Sequence, residues 1–146
     1  AFLAPAGRAR ALTDAYRESW ADAFGAEPMP KLGLARHVYV ASSDAEARAR
    51  AEYGFAGWYQ KFGYLWEKND ARMVKDDGAG RRDGMIIAGT PDRVADQIAA
   101  QMEESGCNYF IARFAYGDLS HAESVASLDM FADKVMPQFG RISVVA

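Results

Sequence analysis

Residues 85–94 read Met85-Ile86-Ile87-Ala88-Gly89-Thr90-Pro91-Asp92-Arg93-Val94, and this stretch holds both a strand and the start of a helix. Met85 to Ala88 is a short, unbroken apolar run, the mark of a strand covered on both faces. Thr90 stands at an N-cap. Pro91 takes the first helical position, where a missing N–H costs nothing. Val94, Ile98 and Met102 then recur at helical spacing, and Ser105-Gly106 closes the helix. A strand that turns into a helix within two residues is a βα unit.

The same unit recurs on either side. Downstream, Tyr109 to Phe114 predicts a strand, and Tyr116-Gly117-Asp118 predicts a turn. Ser120 with Glu123 forms a capping box, Val125, Leu128, Phe131, Ala132 and Val135 give an apolar helical stripe, and Pro137 stops it. Upstream, Leu34 to Ala41 predicts a strand. Ser43 with Glu46 starts a helix that runs to about Tyr53 or beyond. Arg8 to Phe24 predicts a first helix, ended by Gly25, Pro28 and Pro30. Between the first and second units, Tyr53 to Trp66 carries seven aromatic residues, interrupted by Gly54, Gly57 and Gly63. From Glu67 to Asp83 ten residues are charged, five of each sign, which reads as a long solvated lid loop. The chain therefore divides into a helix, strand and helix over 1–54, an insertion over 55–84, and two further βα units over 85–146.

Composition narrows the function. The 146 residues are 50% hydrophobic with net charge −3, enough for one core, so one domain or part of one is expected. No apolar run approaches the ~18 residues of a spanning helix, so no membrane partner is expected. A pI near 5.4 offers no surplus cation for nucleic acid. Cys107 is the lone cysteine, read as a small buried filler. His37 and His121 lie far apart, so no metal site is expected. With no secretory pattern at the N-terminus, a cytoplasmic setting is expected. The start at Ala1, without a methionine, reads as a cut end.

Strands alternating with helices imply parallel pairing through right-handed crossovers. Two architectures remain open on this pattern: a three-layer open sheet, or half of a (β/α)8 barrel. Gly89 is the one glycine at a strand-to-helix junction that a phosphate could approach. Three segments then bear on the choice. Ile87-Ala88-Gly89-Thr90-Pro91-Asp92-Arg93-Val94, the helix end Ala132-Asp133-Lys134-Val135-Met136-Pro137, and Arg36-His37-Val38-Tyr39-Val40-Ala41 followed by Ser43-Asp44-Ala45-Glu46-Ala47 resemble the bacterial luciferase-like flavin monooxygenases. The resemblance runs over residues 2 to 140. It implies an α/β fold that is the C-terminal half of a (β/α)8 barrel of TIM type, strands six to eight, with an insertion between strands six and seven. It also implies reduced flavin mononucleotide (FMN) as cofactor, O2 and a small apolar organic substrate as reactants, and the missing N-terminal half or a second copy as partner. A homo-oligomer is expected. The same resemblance leaves open a deazaflavin-dependent oxidoreductase, and a non-catalytic, flavin-binding or self-associating half barrel.

The candidate site residues follow. Arg113 lies near the C-terminal end of the last strand, where barrel enzymes place chemistry, and a cation there suits a flavin carbonyl or a substrate anion. The other reading is a wall arginine paired with a carboxylate. His37 and Tyr39 share one strand face and line a mouth, or His37 is a hydrogen-bonded core histidine. Tyr64 and Trp66 are the aromatics nearest the lid and the candidates for pocket contact. Arg81 and Arg82 suit a flavin phosphate on closure. His121, in a first helical turn, reads as solvated. No triad, paired carboxylates or activated nucleophile stands at a strand end, so no catalytic residue is named.

Overall fold

Among the described residues seven main elements follow in chain order: α1 (Ala6–Phe24), β1 (Gly33–Val40), α2 (Asp44–Lys68), β2 (Ile86–Gly89), α3 (Pro91–Ser105), β3 (Tyr109–Arg113) and α4 (His121–Lys134). A single 3-10 turn, Met136–Phe139, follows them. The computed structural model describes residues 4–68 and 84–140, and only the backbone of residues 63, 64, 66 and 67. Most of the charged lid stretch, including Arg81 and Arg82, lies outside the described residues.

The strands form one parallel sheet in the order β2-β1-β3. His37 to Val40 pair with Ile86 to Gly89, and Gly33 to His37 pair with Tyr109 to Arg113. This corrects the expected order. Consecutive staves of a barrel would put β2 between β1 and β3, whereas β1 is the centre of the three described strands. Right-handed crossovers that run in opposite directions along a sheet lay their helices on opposite faces. The cores divide accordingly. Tyr39 packs with Ala47, Ala51, Phe55 and Trp58 of α2. Val38 and Val40 pack with Val94 and Ile98 of α3 and Phe131 of α4.

Helix α2 is continuous for 25 residues, so the boundary expected at 54/55 falls inside one helix. Gly54 and Gly57 do not break it, because the loop after β3 lies against them. A Cβ on Gly54 would sit 2.7 Å from Leu119 Cγ, and one on Gly117, at φ +60°, would strike the Gly54 carbonyl oxygen. The glycines serve close approach.

The caps read from sequence form at Gly106 and at the Ser120–Glu123 capping box. Thr90 occupies the N-cap but makes no side-chain cap bond. Its N–H donates instead to Asp44 Oδ1 at 2.8 Å, from the start of α2. Of the expected α4 stripe Phe131 and Val135 are buried, while Val125, Leu128 and Ala132 are exposed and Ser124 and Ser127 take the buried face in their place. Small serines let the helix come close enough for the Val40 N–H to donate to Ser127 Oγ at 2.8 Å. Helix α1 likewise docks by polar contacts: Thr13 Oγ1 donates to the Ser105 carbonyl at 2.8 Å, while Leu12, Tyr16 and Phe24 face outward. Arg36 is fully buried on the α3 side. Its Nε donates to Gln101 Oε1 at 2.6 Å and another of its guanidinium nitrogens to the Ala4 carbonyl at 3.0 Å.

Two leucines check this division of faces. Leu34 is fully buried and Leu128 is 44% exposed. Leu34→Ala should cost about 2–5 kcal/mol in urea unfolding, and Leu128→Ala no more than about 0.5 kcal/mol.

Candidate functional site

The strand β1 presents His37 and Tyr39 to α2, as alternation requires. Both are buried, at 0% and 6% exposure, so neither lines an open mouth. Three rings from two other segments enclose His37: Phe55 at 5.7 Å and Trp58 at 4.7 Å from α2, and Tyr116 at 4.4 Å from the loop after β3. The Arg113 side chain is half-buried, and Arg113 is the register partner of His37 on the neighbouring strand. The structure thus brings together three of the expected site residues, Arg113, His37 and Tyr39. Tyr64 and Trp66 fall on the last turns of α2, and their side chains lie outside the described residues.

Phe55, Trp58 and Tyr116 were not singled out from sequence. The signal for them was present: Gly54 and Gly57, one helical turn apart, mark a stripe where another backbone can approach. Gly117, between Tyr116 and Asp118, supplies that backbone. Ion pairs fasten the same loop and the start of α4 to α2, with Lys61 bound to Asp118, and Arg50 bound to Glu123 Oε1 at 2.6 Å.

Burial, then the nearby Arg113 charge, pushes the His37 imidazole down to about 3, so it is neutral at neutral pH. Burial, then Tyr39, raises the Tyr116 phenol well above its usual range. Burial first, then Glu123, raises Tyr39 as well. Desolvation lowers Arg113. The cluster is therefore apolar, aromatic and neutral but for Arg113. It can hold a ring and exclude water, and it places no general acid or base poised near neutrality.

Cavities among the described residues lie elsewhere as well. A cleft of about 220 Å³ at the open edge of β2 is lined by Asp44, Arg48, Glu52 and Arg93, two charges of each sign. The approach to Gly89 expected for a phosphate is filled: a Cβ there would lie 2.8 Å from Arg93 Cγ and 2.9 Å from Asp44 Oδ1. The Thr90 N–H holds the Asp44 carboxylate below its usual range, so Asp44 already occupies the helix N-terminus as an anion. A larger groove of about 520 Å³ runs beside β3, with Ile98, Met102, Phe110, Phe131, Met136 and Phe139 in its lining. Among the described residues no three His, Cys, Asp or Glu side chains cluster as metal ligands. No described helix is long and apolar enough to cross a membrane.

The depressed His37 value links stability to pH. Between about 3 and the ordinary imidazole value of 6.5 the unfolded chain binds the His37 proton and the folded chain does not. Stability from this group is full above that window and falls as pH drops through it. Acid titrations followed by circular dichroism should show this slope in the wild type. His37→Phe, which keeps the ring packing, should flatten it; an unchanged slope would show that His37 is not the group responsible.

Comparison with known proteins places this geometry in a wider group. The family model for luciferase-like monooxygenases matches residues 1–109. An uncharacterized protein, y4wF, from Sinorhizobium fredii is 26% identical over 145 residues, which are 96% of this chain and 42% of that protein. The monooxygenase RslO1 from Streptomyces bottropensis superposes with a TM-score of 0.65 at 20% identity, over 92% of this chain and 39% of that one. The oxygenating constituent of 3,6-diketocamphane monooxygenase from Pseudomonas putida, a type II Baeyer-Villiger monooxygenase solved with FMN, superposes with a TM-score of 0.70 at 19% identity, over 92% of this chain and 41% of that one. The chain thus spans about two-fifths of the length of these relatives. On the match of its first 109 residues, this chain belongs to the luciferase-like monooxygenase family.

Proposed function

We propose that this chain is the C-terminal part of a flavin-dependent monooxygenase, which uses reduced FMN and O2 to oxygenate an apolar organic substrate. The observation that carries the reading is the family match over residues 1–109, together with the fold likeness to an FMN-bound monooxygenase. The apolar substrate class is supported by the aromatic cluster around His37 and by the groove beside β3. Both remove ring or aliphatic surface from water and offer few polar groups.

The described residues do not by themselves fit FMN. Ligand pockets of this kind occupy roughly 300–1,000 Å³, and the charged cleft, at about 220 Å³, falls short of that and carries Asp44 and Glu52 against a phosphate. The groove beside β3 has the volume but no cation among the described residues of its lining. The flavin phosphate on this reading is held by other segments of a longer protein. What this chain supplies is a water-excluding wall, with Arg113 as the charge at its edge. Tyr64, Trp66 and the charged stretch after them are assigned to the substrate side.

The test is isotopic. A protein of family length that carries this segment, supplied with reduced FMN and labelled O2, should place one labelled oxygen atom in the ester or acid formed from an apolar ketone or aldehyde, and the other in water. The isolated chain should show no such turnover. Label found only in water would overturn the monooxygenase reading, and turnover by the isolated chain would overturn the assignment of the flavin site to other segments.

A further inference from the structure

The loop 114–120 is held against α2 in an unusual way. Tyr116 leaves the end of β3, inserts its ring beside His37 at 4.4 Å, and is 5% exposed. Its hydroxyl is buried without a hydrogen-bond partner among the described residues. A phenol that belonged permanently to this core would find a partner, because a buried unsatisfied hydroxyl is costly. The backbone beside it, Gly117 at φ +60°, lies so close to the Gly54 carbonyl that a Cβ on Gly117 would strike it. Leu119 of the same loop packs against the α2 core, and the Lys61–Asp118 ion pair at the loop tip is exposed and so contributes little.

We propose that Tyr116 is a resident plug in an aromatic slot walled by His37, Phe55 and Trp58, and that the slot takes a planar aromatic ring when the loop leaves α2. The slot favours a ring on three grounds. Phe55 and Trp58 stand 5.3 Å apart at 37°, and His37 meets them edge-on at 76° and 64°, which are attractive aromatic geometries. The walls come from a strand and a helix and stay when the loop goes. The occupant already present is itself a ring, with a polar end that the slot does not use. The closed loop competes with the ligand, so apparent affinity falls by the fraction of open molecules. The slot does not depend on flavin, so its failure is separate from failure of the monooxygenase reading.

The test uses the 146-residue chain and indole as probe, with cyclohexanol as a saturated control, in isothermal titration calorimetry. Gly117→Ala keeps every ring but bars the closed backbone. It should bind indole at least ~10-fold more tightly than the wild type, the gain expected if about one molecule in ten is open beforehand. Cyclohexanol should gain nothing. Tyr116→Phe keeps the plug and removes only the unused hydroxyl; its melting temperature should equal or exceed that of the wild type, and its indole binding should be no tighter. A folded Gly117→Ala chain with unchanged indole affinity would overturn the proposal. So would a loss of stability in Tyr116→Phe, which decides the matter even where Gly117→Ala does not fold.

Discussion

Strand β1 is hydrogen-bonded along both edges and covered on both faces, and every other element takes its position from it. Its pairing with β2 and β3 satisfies backbone groups that burial would otherwise leave unpaired. Its alternation sends Val38 and Val40 to the α3–α4 side and His37 and Tyr39 to the α2 side. One strand thus supplies both cores. Leu34, Val38, Arg36 and His37 on it are all fully buried, which is a large share of burial for eight residues.

The site follows from the same constraint. The α2 side of β1 carries His37 and Tyr39, both buried, and α2 covers them with apolar side chains. It does this with Phe55 and Trp58, and leaves a seam at Gly54 and Gly57 for the loop after β3. Burial then keeps the imidazole and the phenol neutral. A neutral aromatic enclosure beside Arg113 suits binding and orientation, and the chemistry of a monooxygenase would come from its cofactor.

Much of this was legible in the sequence because local physics writes it there. The capping box at Ser120 and Glu123, the proline at the first position of α3 and the glycine after its end all depend on a few adjacent residues. Strand order was not legible, since it depends on which edge of β1 a later strand finds, and no residue of β3 encodes that alone. The resemblance to a barrel family favoured consecutive staves, while the alternation of strands and helices was equally compatible with β1 at the centre of the described strands. The buried face of α4 was legible at Phe131 and Val135 and missed in its first turns, because Ser124 and Ser127 win close approach over the larger Val125 and Leu128. The role of Gly54 and Gly57 was missed for a related reason: glycine in a helix reads as a breaker until a partner backbone is seen against it.

The account rests on β1 lying between β2 and β3, and nuclear Overhauser contacts between strand backbones measure that order directly. The register predicts contacts between Ala35 and Ile111 and between Val38 and Ile87. Backbone contacts running from β2 to β3, such as Ile87 to Ala112, with none from β1 to β3, would contradict it.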